Sequence, residues 1–248
     1  MRIFGLIGYP LGHSWSARFF NEKFRRENIS DAVYKTFPIE SIEELPALLQ
    51  SEPELAGLNV TIPYKQQVIH YLDALGGAAS KIRAVNTIRI IRKGNKPELI
   101  GYNTDVDGFR ESLAASVTPL PQKALVLGTG GASKAVCWVL KELGCEYRLV
   151  SRKPSDIQIL SYDELDREVI LGHSLIINTT PLGMMPNIET CPPIPYQWLN
   201  SRHLLFDLVY NPPETLFLKR GKAQGCKTLN GEAMLTGQAL RAWEIWNR

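Results

Sequence analysis

Near the middle of the chain an apolar run, Ala124-Leu125-Val126-Leu127, meets Gly128-Thr129-Gly130-Gly131-Ala132-Ser133, and a periodic stripe of Val136, Val139, Leu140 and Leu143 follows. This segment limits the possible folds more than any other. A short apolar run ending in glycine reads as a buried strand, and recurrence at i, i+3, i+4 and i+7 reads as one face of a helix. The residues between satisfy the first two positions of G-x-G-x-x-G and put Ser133 at the third. The first glycine makes a tight turn. The second leaves backbone N–H groups open, and the third place needs only a small residue so that helix and strand can approach. N–H groups at a helix N-terminus suit a pyrophosphate. Gly128, Thr129, Gly130, Gly131, Ala132 and Ser133 are therefore candidate dinucleotide contacts, and Gly144 is a fitting helix stop.

The next strand ends at Val150-Ser151-Arg152-Lys153. An NAD site places an acidic residue near that point to accept from the ribose 2′-hydroxyl. Here no carboxylate occurs until Asp156, while Ser151, Arg152 and Lys153 offer donors that suit a 2′-phosphate. The residues favour NADP.

The first hundred residues alternate strand and helix. Strands are expected at residues 2–7, 33–37, 55–61, 84–92 and 98–102, and helices at 16–27, 42–49 and 64–72. Ser14 and Ser16 are candidate caps of the first helix, and Lys93-Gly94-Asn95-Lys96 reads as a hairpin turn. Such alternation predicts a mostly parallel sheet with helices on both faces. A helix over 105–116 leads to Pro119-Leu120-Pro121, and a new pattern begins at Lys123 with strands at 124–127, 147–150, 174–178 and 204–209. The fold class is α/β: an N-terminal α/β substrate domain with a mostly parallel sheet plus a Rossmann-type dinucleotide-binding domain. Residues 181–195 are proline-rich and aperiodic, and read as an irregular loop. A last amphipathic helix spans 232–246, with Leu235, Ala239, Ala242, Trp243 and Trp246 on one face.

The 248 residues carry a formal charge of only +3, with basic and acidic side chains interspersed, so no nucleic-acid track is expected. No stretch has the length of a membrane span. Cys137, Cys145, Cys191 and Cys226 lack ligand spacing, which points to a reduced, cytoplasmic chain without structural metal. His70, His173 and His203 read as surface or turn residues.

The remaining chemistry lies in the first half: Asn59-Val60-Thr61-Ile62-Pro63-Tyr64-Lys65, Ala84-Val85-Asn86-Thr87 and Asn103-Thr104-Asp105. Lys65 follows a predicted strand, where ligands bind in open α/β sheets. A lone lysine there is usually solvated; Asn59, Thr61, Asn86 and Asp105 at neighbouring element ends alter that balance. Such residues also make local turns and caps, and Asp105 could simply cap the helix it begins.

Taken together, these segments resemble the shikimate dehydrogenase family. The resemblance runs in order through His13-Ser14-Trp15-Ser16, 59–65, 84–87, Gly101-Tyr102-Asn103-Thr104-Asp105, 128–133, Ile177-Asn178-Thr179-Thr180-Pro181-Leu182-Gly183-Met184 and 230–238. It implies a two-domain enzyme that reduces 3-dehydroshikimate to shikimate with NADPH. Residues 1–104, completed by helix 232–248, would form the substrate domain, and 105–231 the NADP domain. The resemblance implies that Ser14 and Ser16 hold the substrate carboxylate. Asn59 is counted with the substrate-binding residues, and Thr61, Lys65, Asn86, Asp105 and Gln238 surround the ring hydroxyls and the reacting carbonyl. Tyr210 lies near substrate, Thr179 belongs with the cofactor contacts, and Leu208 and Gly231 lie beside the nicotinamide. Lys65 and Asp105 are the catalytic pair, and His13 is structural. The partner is a small molecule, and the chain a monomer or homodimer.

Three positions depart from the family pattern. Ala17 stands where proline is common, Gly77 where some members are acidic, and Ser151-Arg152-Lys153 where Asn-Arg-Thr is usual. An NAD-dependent quinate/shikimate dehydrogenase would carry an acidic residue after the second strand, which is absent. The serines and the Asn86/Asp105 pair suit a carboxylated polyol better than the folate of another two-domain dehydrogenase. A catalytically silent metabolite-binding relative is expected to have lost the lysine, the aspartate or the phosphate loop; all three are present.

Overall fold

The computed structural model describes residues 1–12, 14–92 and 96–248. The chain divides into two compact units, Met1–Thr104 with Ala239–Arg248, and Asp105–Gln238.

In the first unit the order is β1 (Arg2–Ile7), α1 (Trp15–Arg26), β2 (Ala32–Phe37), α2 (Leu45–Ser51), β3 (Leu55–Val60), β4 (Ala74–Leu75), α3 (Ala79–Ile82), β5 (Thr87–Arg92) and β6 (Pro97–Tyr102). The sheet runs β2-β1-β3-β5-β6-β4. β1 pairs in parallel with β2 and β3, but β5 is antiparallel to both β3 and β6. With β4 also parallel to β6, this sheet is mostly parallel, as expected, and its antiparallel β5–β6 pair is the expected hairpin pairing; the antiparallel β3–β5 pairing makes it mixed. β5 and β6 meet in register from Thr87↔Tyr102 to Arg92↔Pro97; His13 and the expected turn residues 93–95 lie outside the described residues.

Alternation along β1 sends Phe4 and Leu6 to one core with Phe20, Phe24, Tyr34, Ala239, Ala242 and Trp246. Ile7 goes to the other, with Leu45, Leu55, Leu58, Val60, Tyr64 and Ile88. The residues of α8 (Glu232–Trp246) from Ala239 onward thus supply core to the first unit. Trp246 packs against Gly57, where a Cβ would stand 2.4 Å from the indole. Its Nε1 donates to the Ile88 carbonyl at 2.9 Å.

The helix expected at 64–72 is a turn followed by a single 3-10 segment, Gln67–Tyr71. The Lys65 carbonyl, which an α-helix would offer to residue 69, accepts instead from Val85 N–H at 2.7 Å. Ile69 N–H falls back on Gln66 O.

The second unit runs α4 (Asp105–Ser116), β7 (Lys123–Leu127), α5 (Gly131–Glu142), β8 (Glu146–Ser151), β9 (Ile159–Ser161), α6 (Arg167–Gly172), β10 (Leu175–Asn178), β11 (Leu204–Asp207), α7 (Leu216–Ala223) and β12 (Lys227–Leu229). Its sheet, β12-β11-β10-β7-β8-β9, is parallel throughout. Strand order reverses at β7, as in the doubly wound dinucleotide folds. Leu125, Leu127, Val150, Ile176, Leu205 and Phe217 form its core. Residues 181–195 carry no helix or strand. Gly144, at φ +71°, ends α5 in the left-handed region.

His203 corrects the surface expectation. It is buried, with Nε2 3.1 Å from Ile170 O and Nδ1 accepting from Asn200 N–H at 3.1 Å. The cysteines are free thiols; burial pushes Cys137 up to about 12 and Cys145 and Cys226 up to about 11. Among the described residues no His/Cys/Asp/Glu cluster could hold a metal, and no helix is long and apolar enough to cross a membrane.

Candidate functional site

In the second unit, β7 delivers Gly128 to the strand end at the point of sheet reversal. Gly128 takes φ +107°, and a Cβ there would lie 2.9 Å from Thr179 Oγ1, so conformation and contact both require glycine. Thr179 is fixed by its hydroxyl, which donates to Leu127 O at 2.7 Å, bridging the ends of β10 and β7. A Cβ on Gly130, by contrast, would meet nothing within 4 Å. Gly130 is the N-cap of α5, and no side chain caps that helix. The N–H groups of its first turn are therefore available to an anion. Thr129 and Gly130 are exposed, Gly131 and Ala132 half-buried, and Ser133 buried. The Ser133 hydroxyl donates to Gly130 O at 2.7 Å, so the third motif position tightens the loop.

At the end of β8 the Ser151 hydroxyl is bound into its own turn, accepting from Lys153 N–H and donating to Lys153 O, both at 3.2 Å. Arg152 and Lys153 stand exposed on that turn. An open glycine cradle and two exposed cations one βαβ step later fit a dinucleotide bearing a 2′-phosphate.

Leu208 and Gly231 are neighbours. A Cβ on Gly231 would stand 2.1 Å from Leu208 O, and Gly231 N–H donates to Val209 O at 3.3 Å. Beneath them lies a carboxylate that motif reading did not single out. Asp207 is fully buried and accepts from Asn178 Nδ2 (2.9 Å), Val209 N–H (3.0 Å) and the Thr215 hydroxyl (2.5 Å). Burial outweighs these bonds and pushes its pKa up to about 6. The one available signal was a lone acid closing the apolar run Leu204-Leu205-Phe206.

Asp105 is buried at the start of α4, and Gln238 is buried on α8 with Nε2 donating to Leu235 O. These helices touch through Gly108, where a Cβ would lie 2.4 Å from Met234 O and 2.8 Å from Gln238 N. Tyr210 is half-buried just beyond β11.

In the first unit, Ser14 and Ser16 open α1. Ser14 is the N-cap and accepts from Ala17 N–H at 3.2 Å, which settles which serine caps the helix. Lys65 is half-buried on the turn pinned by Val85. Thr61 precedes it, its N–H donating to Ile7 O. Asn86 is buried between strands: its carbonyl accepts from Val60 N–H, its own N–H donates to Tyr102 O, and its side chain engages Thr104 at both ends. Asn59 is buried beside it, its amide bonded to Tyr34, Asn86 O and Thr87. The phenol and the two threonines fell outside the candidate list, because their partners are remote in sequence.

A parallel doubly wound sheet with a glycine loop at its reversal, joined to a second α/β unit bearing a buried amide and hydroxyl cluster, defines a two-unit nucleotide-dependent oxidoreductase. Residues 6–88 match the shikimate dehydrogenase substrate binding domain. Over 99% of its length the chain is 42% identical to the shikimate dehydrogenase (NADP(+)) of Clostridium beijerinckii, covering 92% of that protein. The chain belongs to the shikimate dehydrogenase family. Among solved structures, a chorismate mutase/shikimate 5-dehydrogenase fusion protein from Clostridium acetobutylicum superposes with a TM-score of 0.88 at 36% identity, covering 99% of this chain and 91% of that one. The Thermus thermophilus shikimate 5-dehydrogenase in complex with NADP(H) and shikimate gives 0.84 at 31% identity, covering 99% and 93%.

Proposed function

We propose that this chain is an NADP-dependent shikimate dehydrogenase that catalyses the reversible reduction of 3-dehydroshikimate to shikimate in aromatic amino-acid biosynthesis. The full-length relationship to proteins of that name carries the reading. The retained lysine, aspartate and phosphate loop support an enzyme over a silent binding relative.

NADPH, when bound, supplies the hydride for the carbonyl carbon. The chain's own task is the negative charge that develops on the carbonyl oxygen. In this reading Lys65 Nζ stabilises that charge and delivers a proton to the oxygen, and takes it back in the reverse direction. Asp105 holds Lys65 and the adjacent hydroxyl in register. Ser14 and Ser16 take the carboxylate at the N-terminus of α1, where the helix dipole adds to their hydroxyls. Asn59, Thr61, Asn86, Tyr210 and Gln238 serve the substrate ring. Residues 128–133 hold the pyrophosphate, Thr179 supports the loop, Ser151 shapes the turn from which Arg152 and Lys153 take the 2′-phosphate, and Leu208 and Gly231 flank the nicotinamide.

The same reading assigns residues 1–104 with helix 232–248 to substrate binding and catalysis, and 105–231 to NADP. It places the chain in the cytoplasm as a monomer or homodimer. The test is absorbance at the reduced-nicotinamide band with shikimate, run in parallel with NADP and NAD. Rapid reduction of NADP and little of NAD is expected. A preference for NAD would overturn the role of Arg152, and binding without turnover would favour a metabolite sensor.

A further inference from the structure

Three segments of the second unit converge on one buried carboxylate at the strand ends of its sheet. Asn178 closes β10, Asp207 closes β11 and Thr215 caps α7, and all three are fully buried. Asn178 Nδ2 and Val209 N–H both donate to Asp207 Oδ1, at 2.9 and 3.0 Å, and the Thr215 hydroxyl donates to Oδ2 at 2.5 Å. The Asn178 amide is oriented from its other end. Its Oδ1 accepts from Thr180 N–H at 3.0 Å, which only the oxygen can do, so Nδ2 faces the carboxylate. Leu208 stands between Asp207 and Val209, half-buried between buried neighbours. Its N–H donates to Asn178 O at 3.0 Å, and its carbonyl lies against Gly231, where a Cβ would stand 2.1 Å away. The bond from Val209 N–H to the Asp207 side chain closes a turn around it. Burying a carboxylate is costly, and an apolar residue would serve a core at lower cost. What this carboxylate adds is a fixed spacing between the ends of β10, β11 and α7.

We propose that Asp207 is a positioning residue for the nicotinamide end of the cofactor, acting through the Leu208 turn and through Asn178. The proposal rests on the NADP reading, in which Leu208 and Gly231 flank the nicotinamide. The two bonds to Oδ1 fix Leu208 from both sides. Val209 N–H holds the turn that follows it, and Asn178, whose carbonyl takes the Leu208 N–H, is held by its side chain. Thr215 anchors the other oxygen to α7, so Oδ1 keeps its place. The wall of the nicotinamide site is thus set by a buried group that acts on the ring only through Leu208.

The test compares two ligands by calorimetry on the full chain: NADP, and adenosine 2′,5′-bisphosphate, which carries the 2′-phosphate and no nicotinamide. Asp207→Ala is expected to weaken NADP about tenfold and adenosine 2′,5′-bisphosphate less than about twofold. Asp207→Asn keeps one oxygen for Asn178 and Val209, and its amide can donate to the Thr215 hydroxyl. It should restore NADP binding to within about threefold of the wild type. Unchanged NADP binding in Asp207→Ala, equal weakening of both ligands, or an Asp207→Asn as weak as Asp207→Ala overturns the proposal. If Asp207→Ala fails to fold, the Val209 amide proton of the wild type gives a second readout by NMR. It should shift on adding NADP and stay in place on adding adenosine 2′,5′-bisphosphate; a shift with both, or with neither, overturns the proposal. If NADP binds but shikimate is not oxidised, the enzyme reading fails while the two ligands still decide Asp207. If the wild type binds no NADP, both fall.

Discussion

The first unit buries its polar side chains inside the sheet and bonds them to one another, whereas the second presents backbone N–H groups of a glycine loop on an exposed rim. Asn59, Asn86, Thr87 and Thr104 are all buried and mutually hydrogen-bonded. Thr129 and Gly130 stand in the open at the head of α5. Under the proposed function the contrast follows from ligand chemistry. A small polyhydroxylated ring is distinguished by the position of each donor and acceptor, and fixed positions demand satisfied, rigid side chains. A pyrophosphate is chemically uniform and needs only convergent N–H groups and room for the backbone to approach. The first unit should therefore be sensitive to functional-group changes, the second to an added methyl.

The largest break in that comparison is expected at Lys65. Lys65→Ala should lower kcat by about 100- to 10,000-fold, the usual contribution of a positioned proton donor. Because the turn is held through the Lys65 backbone carbonyl, thermal stability should hardly change. Lys65→Arg should also be poor, since a planar fork does not replace a point donor. Near wild-type turnover in Lys65→Ala would end the catalytic assignment.

Arg152 comes next. Losing one charge-assisted contact costs about 1.5–3 kcal/mol, so Arg152→Ala should raise the KM for NADP by roughly 10- to 100-fold. The weak activity with NAD should stay level, and parallel steady-state kinetics with both nucleotides measure the ratio. An equal loss with both would mean that Arg152 serves the fold of the turn.

The two glycines of the loop sharpen the comparison within one motif. At Gly128 a methyl meets Thr179 and the backbone is left-handed, so Gly128→Ala should destabilise the protein by about 1–3 kcal/mol. At Gly130 the same methyl enters open space. Gly130→Ala should leave the melting temperature in place and raise the KM for NADP about tenfold. Matching thermal shifts in the two variants would contradict the division of roles.

What could be read in advance divides along the same line. The loop was legible because its signals are local: an apolar run, two glycines, a small residue and a helical period. Helix 105–116 and helix 232–246 also have the observed limits. The error at 64–72 arose because Tyr64, Val68 and Leu72 keep a helical spacing while the Lys65 carbonyl is claimed by Val85, twenty residues away. The antiparallel β3–β5 pairing and the burial of His203 are likewise set by partners remote in sequence. Lys65 and Asn86 could be nominated by type and position, and Ser14 as a helix cap, whereas the substrate role of Ser14 came only with the family resemblance. That Asn59 is bonded to Tyr34 could not be read in advance, because strand alternation gives a side chain's face and not its partner across the sheet.

Asp207 offers the smallest test and qualifies the contrast, since it is a buried side-chain network in the unit that otherwise relies on backbone. Desolvation raises its pKa from an ordinary 3.8 to about 6 against the opposing pull of Thr215, Val209 and Asn178. The Tyr196 phenol is raised chiefly by burial and in small part by the Asp207 charge, and stays neutral. A folded-state value above the unfolded one means that the native state binds the extra proton. The stability this confers is complete below 3.8 and is lost as pH rises through about 6. The slope cannot exceed about 1.4 kcal/mol per pH unit. Exposed carboxylates such as Asp31 and Glu164 are lowered by hydrogen bonds and act with the opposite sign, below their ordinary range. Urea unfolding of the wild type and Asp207→Asn between pH 4 and 7 isolates the Asp207 contribution as a difference, which should bend near pH 6. A difference flat across that window would show that the three donors outweigh burial and that Asp207 is ionised throughout.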